Sequence, residues 1–176
     1  MRALKWIIVS LLALVAVLVL GGLLLPRTAH LERSLVINAP ADKVFDLVNQ
    51  PRHWKNWTVW NQRDPAMKVE YFGTEQGVGA GWAWQSATEG DGKMTFTASE
   101  TPKRVAYDLY FPDFDSTSTG DLRFVAEGSA TRVIWSMDAN MGANPLWRWM
   151  GLMMDRMAGP DFETGLARLK ALAEQG

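Results

Sequence analysis

Residues 35–48 read LVINAPADKVFDLV, and this stretch decides the fold because it joins the end of a strand to the start of a helix. Residues 31–37 lead into it with a period-two alternation of side chains, which predicts a first strand. Pro40 suits the first turn of a helix, where a missing backbone N–H costs little. A short amphipathic helix is therefore predicted over 40–48. Its apolar side consists of Val44, Phe45 and Val48.

Downstream, the pattern predicts one more short helix followed by a meandering sheet. Tryptophans recur at every third residue of the predicted helix 52–60, at Trp54, Trp57 and Trp60. After Pro65, short runs separated by turn residues are typical of antiparallel strands joined by hairpins. Six further strands are predicted near residues 67–72, 80–87, 93–99, 104–111, 117–126 and 131–137. Hairpin turns are predicted at 89–92 and 127–129.

The C-terminal segment, from Pro145 onward, predicts a long amphipathic helix. Its apolar residues are spaced four, three and three apart and form one stripe, consisting of Phe162, Leu166, Leu169 and Leu172. Gly159 and Pro160 are expected to break or kink this helix. The predicted order is one strand, two short helices, six strands and a long helix, which is an α+β fold.

The N-terminal segment has the length and composition of a transmembrane helix. Twenty uncharged residues run from Trp6 to Leu25, and fourteen of them are Leu, Ile or Val. At about 1.5 Å per residue they span about 30 Å, the thickness of the hydrocarbon core of a bilayer. We therefore predict a membrane anchor in residues 1–30, with the transmembrane helix at about 6–25, and one globular domain in residues 31–176.

A cleaved secretory signal is the competing interpretation of the same segment. The apolar part of such a signal usually has about 7–15 residues and ends at a site of small residues. Here the apolar run is longer, and Arg27 stands where a small residue is needed. Arg2 and Lys5 precede the run, which favours an inside N-terminus slightly. The sequence thus predicts a single-pass protein of the cell membrane with an extracytoplasmic domain.

Charge and composition exclude several classes of function. The chain has 18 basic and 19 acidic residues, and without Arg2, Lys5 and Arg27 the domain keeps 15 basic residues against 19 acidic ones. Basic residues are scattered singly, which argues against nucleic acid as a partner. The chain has no cysteine, so thiolate catalysis, disulfides and cysteine zinc sites are excluded. No cofactor or metal is predicted.

Three phrases of the sequence carry a family resemblance. They are residues 35–48, the run Trp54-Lys55-Asn56-Trp57, and residues 159–166 leading to Leu169-Lys170. In these the chain resembles the superfamily of START-related lipid-transfer domains and the major birch pollen allergen (SRPBCC), in its polyketide cyclase/dehydrase branch. The resemblance covers residues 31–174. It implies a helix-grip fold, in which a curved seven-stranded antiparallel sheet wraps the C-terminal helix and leaves a cavity.

Strand alternation predicts which side chains face that cavity. Residues two apart share one face of a sheet, and one face collects the aromatic residues. Aromatic side chains bury about 150–250 Å² each, so this face needs a cover, and the terminal helix is available. The alternative is a core that these rings fill completely. The predicted cavity lining consists of Tyr71, Trp82, Trp84, Phe96, Tyr107, Phe124 and Trp135.

These observations favour a membrane-tethered domain that binds or transfers a hydrophobic small molecule, lipid-like or aromatic, with the bilayer and that molecule as its partners. One alternative is a cyclase or hydrolase, with His53 or Asp108 among the candidate acid/base groups, although the spacing matches no catalytic motif. The other is an interaction module of the cell envelope. An exposed apolar patch without an internal cavity would select that alternative, and its protein partner is not predicted.

Overall fold

The decisive stretch folds as its pattern predicts in a computed structural model that describes residues 2–175, without the side chain of Phe114. Strand β1 ends at Ile37, and helix α2 begins at Ala41 directly after Pro40. All seven strands form one antiparallel sheet in the order β1-β7-β6-β5-β4-β3-β2. Hairpins join the strands from β2 to β7, and the helix-grip prediction is confirmed. The strands are β1 (Thr28–Ile37), β2 (Lys68–Phe72), β3 (Gly81–Gln85), β4 (Gly92–Glu100), β5 (Arg104–Phe111), β6 (Ser116–Glu127) and β7 (Ala130–Asn140).

The helices differ from prediction at two places. The predicted helix 52–60 is two helices, because it ends after Trp57 and a separate turn of helix follows. The C-terminal helix is interrupted at Leu152 and Met153, and it continues through Pro160. The helices are α1 (Arg2–Leu24), α2 (Ala41–Val48), α3 (Pro51–Trp57), α4 (Trp60–Arg63), α5 (Pro145–Gly151) and α6 (Met154–Glu174).

Packing explains why α6 tolerates Pro160. A proline inside a helix costs about 3 kcal/mol, because it lacks the N–H that would bond the preceding turn. Residues after Pro160 are buried against the sheet, including Phe162 and Leu166. Before it, Gly159 lies so close to Arg33 of β1 that an added Cβ would stand 2.3 Å from the guanidinium. The expected break at 159–160 was therefore wrong, because tertiary contacts on both sides hold the helix together.

The core is built around three tryptophans. Trp54 and Trp57 of α3 are buried, with ring centroids 4.6 Å apart, and both pack against Trp135 of β7. On its other side, Trp135 stacks on Phe162 of α6 at 3.9 Å. The Nε1 atom of Trp54 donates to the backbone oxygen of Val48, which satisfies the buried indole. These rings fix α3 and α6 over one half of the sheet.

Helix α1 lies beside α5. Among the described residues it is the one helix long and apolar enough to cross a membrane, a test that a signal sequence also passes. Its apolar residues are exposed almost throughout, whereas Gly22 is buried under Pro145 of α5. An added Cβ at Gly22 would stand 2.1 Å from the Pro145 carbonyl oxygen, so only glycine permits this approach.

Candidate functional site

A cavity of about 490 Å³ lies between the sheet and α6, in the half that α3 does not fill. Most of its wall is apolar, and five strands, the α4 segment, α5 and α6 contribute to it. The lining residues on the strands are Trp82, Trp84, Met94, Tyr107, Leu109, Phe111, Ser116, Ser118, Met137, Ala139 and Asn140. The others are Thr58, Trp60, Asn61, Met67, Glu89, Met141, Gly142, Ala143, Asn144, Trp147, Met150, Met154, Ala158, Asp161 and Phe162.

The strand register places all seven predicted aromatic residues on the face that α6 covers. Tyr71 pairs with Trp82, and Phe96 pairs with Tyr107, so each pair points the same way. Three of the seven line the cavity, namely Trp82, Trp84 and Tyr107. Their role in binding a ligand stays a prediction.

The other four predicted residues lie outside the cavity wall, because helices of the N-terminal half cover them. Phe96 packs against Trp54 at 5.9 Å, and Phe124 meets Phe45 of α2 edge-on at 5.7 Å. Trp135 is enclosed by the tryptophan core. Tyr71 lies near the edge of the sheet, where the guanidinium of Arg52 stands 4.4 Å from its ring. The filled-core alternative therefore describes one half of this face, and the cavity occupies the other.

The predicted lining left out three strand residues and the residues that follow β7. Leu109 and Phe111 share the face of Tyr107, and Met137 shares that of Trp135, so alternation alone indicates these three. Met141 and Trp147 lie outside the strands, so alternation does not indicate them. They reach the cavity only because β7 continues to Asn140 and α5 folds back across its end.

Tyr107 is the most deeply buried polar group of the cavity wall. Its ring lies across Gly120 of β6, where an added Cβ would stand 2.0 Å from the ring. The Nε1 atom of Trp135 donates to its hydroxyl at 2.8 Å. Burial raises the pKa of this phenol well above its ordinary value. The hydroxyl therefore stays protonated and keeps a hydrogen that it can donate.

This pKa shift makes stability at alkaline pH depend on Tyr107. Above about pH 10 the unfolded chain releases the Tyr107 proton while the folded protein retains it, so the free energy of unfolding falls. We expect Tyr107→Phe to remove this contribution. The free energy of unfolding of Tyr107→Phe minus that of the wild type should therefore increase with pH. The increase should be up to about 1.4 kcal/mol per pH unit above pH 10. Urea titrations between about pH 9 and 12 measure the difference, and curves that stay parallel would contradict the assignment.

The cavity has one charged region. Glu89 and Asp161 line it, and both bind Arg63 of α4. The guanidinium donates to both carboxylate oxygens of Asp161, at 3.0 and 2.7 Å, and its Nε lies 2.9 Å from Glu89. Two carboxylates against one guanidinium leave one negative charge in excess. This region, with Thr58 and Asn61 beside it, is the polar end of the cavity.

The mouth of the cavity lies at the other end. Among the lining residues that the structure describes, every exposed one falls within residues 140–150, namely Asn140, Ala143, Asn144, Trp147 and Met150. Along α6, the lining residues Met154, Ala158 and Asp161 follow one helix face inward. Asp161 follows Met154 by seven residues, which corresponds to about 10 Å along a helix. The cavity thus runs from a mouth beside α5, lined by Trp147 and Met150 together with two asparagines, to the charged end at Arg63.

Neither candidate acid/base residue reaches this cavity. His53 lies half-buried on α3, with Nδ1 3.3 Å from the Asp46 backbone oxygen. Asp108 alternates with Tyr107 on β5 and therefore points to the opposite face of the sheet. Within residues 2–175, no three His, Asp or Glu side chains are grouped to hold a metal ion. Catalysis by His53 or Asp108 in this cavity is therefore contradicted by their positions.

Solved structures share the fold at low sequence identity. A truncated norcoclaurine synthase from Thalictrum flavum is 15% identical with a TM-score of 0.64, over 85% of this chain and 95% of that one. A protein from Thermobifida fusca is 19% identical with a TM-score of 0.62, over 80% and 90% of the two chains. The di-domain aromatase/cyclase (ARO/CYC) StfQ from the steffimycin biosynthetic pathway is 12% identical with a TM-score of 0.63, over 84% and 51%. No curated protein matches the chain.

The sequence identities of these solved structures are too low to show more than a shared fold. Membership of a family is shown by a separate match. A sequence model for the family described as polyketide cyclase / dehydrase and lipid transport matches residues 28–174. The match runs from the first residue of β1 to the last residue of α6, so it includes every strand and the whole cavity. The resemblance drawn from the three sequence phrases is confirmed: the chain belongs to the polyketide cyclase/dehydrase and lipid transport family.

Proposed function

We propose that this chain is a membrane-tethered binding protein, which holds a hydrophobic small molecule in the cavity between sheet and α6. In this proposal α1 is retained as the anchor, residues 31–176 form the binding domain, and the domain is extracytoplasmic. The observation that carries it is the mostly apolar cavity of about 490 Å³, whose mouth is bordered by α5, the helix that packs against the apolar helix α1. Small-molecule sites are commonly about 300–1,000 Å³ and mostly apolar.

The ligand that fits this cavity best is an amphiphile with one polar group. The aromatic and methionine side chains along the wall suit an acyl chain or a ring system, and thioethers adapt to different shapes. The polar group would lie at the Arg63 end, where Asp161 and Glu89 carry one excess negative charge. A hydrogen-bond donor or a cationic group is the complement of that charge. The family description, which includes lipid transport, supports the same class.

Binding explains this cavity better than catalysis. The two carboxylates in its wall are both bound to Arg63, and no histidine, lysine or cysteine accompanies them among the described lining residues. The Tyr107 phenol has a raised pKa, which disfavours it as a base. An apolar wall that excludes water and holds a single polar end suits retention and release of a lipid.

Native mass spectrometry of the full chain tests the proposal. The protein is extracted from membranes in mild detergent and examined for retained molecules. It is then incubated with an anthroyloxy-labelled stearyl alcohol, an uncharged amphiphile whose hydroxyl can donate a hydrogen bond, as a probe. We expect one bound amphiphile per chain or saturable uptake of one probe molecule. A protein that neither retains an amphiphile nor takes up the probe would contradict the proposal.

A further inference from the structure

The surface on the α5 side of the cavity mouth is apolar. We call residues 145–153 the lip; they comprise α5 and the two residues that separate it from α6. Several apolar side chains of the lip are exposed, with Leu152 at 63% and Met153 at 54%. Trp147 and Met150 are exposed on one side and line the cavity on the other. The lip therefore borders the cavity and presents an apolar surface outward.

The lip packs along the last turns of α1. Gly21 and Gly22 allow close contact with Trp149 and Pro145, as only small residues can. The Nε1 atom of Trp149 donates to the backbone oxygen of Leu18 at 2.9 Å. Leu18 precedes the end of the uncharged run at Leu25 by seven residues, which is about 10 Å along a helix. The lip therefore lies beside α1 at the level of its apolar part.

The single charge of the lip is buried against the C-terminal end of α1. Arg148 is the lip's one charged residue, and it is only 5% exposed. Its Nη1 donates to the carbonyl oxygens of Gly22, Leu23 and Leu25, at 3.4, 3.2 and 3.4 Å. These carbonyls end the helix, where the backbone dipole favours a cation. The contact removes the charge from the outward surface of the lip, which stays apolar.

We infer that the lip is inserted into the leaflet that adjoins the domain, so that the cavity mouth opens onto lipid acyl chains. An amphiphile then enters the cavity sideways from the bilayer and does not cross water. This inference rests on the proposed function, since it gives the route by which the bound molecule arrives. Tryptophans and uncharged apolar side chains are favoured at this depth of a membrane.

The bilayer is the occupant that the contacts favour. The lip surface is continuous with α1, a helix whose exposed residues from Trp6 to Leu24 are apolar except for Ser10. A protein partner on the lip would have to share this position with the lipids around α1. Arg148 and the two glycines hold the lip and the anchor together, so one element entering the bilayer carries the other to a fixed depth.

Spin labels at single cysteines test the depth of the lip. The chain has no cysteine of its own, so each introduced one is unique. The full chain carrying Leu152→Cys or Met153→Cys is labelled and reconstituted into phosphatidylcholine vesicles. Val125→Cys, at an exposed site on β6, is the matched control for water, and Leu12→Cys in α1 is the control for lipid. Collision rates with oxygen and with a water-soluble nickel chelate report the depth of each label.

We expect the spin labels at residues 152 and 153 to collide mainly with oxygen, like the label at residue 12. The label at residue 125 should collide mainly with the nickel chelate. Lip labels that behave like 125 while the label at 12 stays lipid-exposed would overturn the inference. Retention of an amphiphile in native mass spectrometry would then leave the binding proposal standing. A chelate-exposed label at 12 would overturn both the tether and the insertion of the lip.

The rate of loading gives a second, independent test. Leu152→Asp adds a charge to the lip without altering the cavity wall, and Val125→Asp is its control. We expect Leu152→Asp to slow uptake of the labelled stearyl alcohol from vesicles about tenfold relative to Val125→Asp. Both variants should bind the same probe equally when it is supplied in detergent. Equal uptake from vesicles would overturn sideways entry.

Discussion

Trp135→Ala is expected to lower the free energy of unfolding by about 3–5 kcal/mol, the usual cost of removing a fully buried tryptophan. Trp135 is 0% exposed and stacks on Phe162 at 3.9 Å. It also packs edge-on against Trp57, and aromatic pairs add about 0.5–1.5 kcal/mol each beyond burial. Its removal would loosen the contacts that hold α3 and α6 over the sheet. Urea titration of the full chain in mild detergent, followed by circular dichroism, measures the loss.

The matched control for this prediction is Val125→Ala on the neighbouring strand β6. Val125 is exposed, so its truncation should change the free energy of unfolding by less than about 1 kcal/mol. Trp135→Phe separates packing from hydrogen bonding, since it keeps a ring against Phe162 and removes the donor to Tyr107. A loss below about 1 kcal/mol for Trp135→Ala would show that these rings do not hold the fold together.

Ala139→Trp is expected to weaken binding of the labelled stearyl alcohol strongly while the protein stays folded. Ala139 of β7 is buried and lines the cavity, so a tryptophan there would extend into space that the ligand needs. The indole is among the bulkiest side chains, so it would occupy part of the space between β7 and α6. We expect affinity for the probe to fall at least about 30-fold, equivalent to about 2 kcal/mol. Fluorescence titration of the full chain measures the change.

Two further variants keep the occlusion experiment interpretable. Ala167→Trp adds the same side chain at an exposed position of α6 and should leave binding unchanged. Ala158→Phe fills the cavity from α6, so it gives a second test if Ala139→Trp is unstable from overpacking. Unchanged probe affinity in a folded Ala139→Trp or Ala158→Phe protein would show that the ligand binds elsewhere.

Much of the fold follows from local patterns. The alternation that ends at Ile37 and the helical spacing of Val44, Phe45 and Val48 are set by neighbouring residues, so they predict β1 and α2 closely. The face shared by Trp82, Tyr107 and Trp135 also follows, because alternation depends only on the pleat of a strand. The helix boundaries were predicted less accurately from the local patterns. Whether a helix continues through Pro160 depends on what it packs against, and nothing nearby in the sequence encodes that.

The candidate site was predicted only in part, for a related reason. Phe96 and Trp82 have the same pattern along the chain, and Trp54 of α3 contacts both, at 5.9 and 5.2 Å, and yet only Trp82 also lines the cavity. Which ring borders open space depends on how the helices pack over the sheet, and these contacts join residues that are distant in the sequence. Met141 and Trp147 complete the wall because α5 folds across the end of β7. No periodic pattern in the sequence predicts this turn.

The sequence alone determined the order of the elements, the apolar helix at the N-terminus and the face of the sheet that carries the rings. Each of these follows from the pattern of side chains along the chain, with a period of two residues in strands and 3.6 in helices. Such patterns depend only on residues that are close together in the sequence. Only the tertiary structure decided which half of that face stays open, where its mouth lies, and that Arg148 joins the lip to α1. These features arise where distant segments meet, and their geometry depends on how all the intervening elements pack.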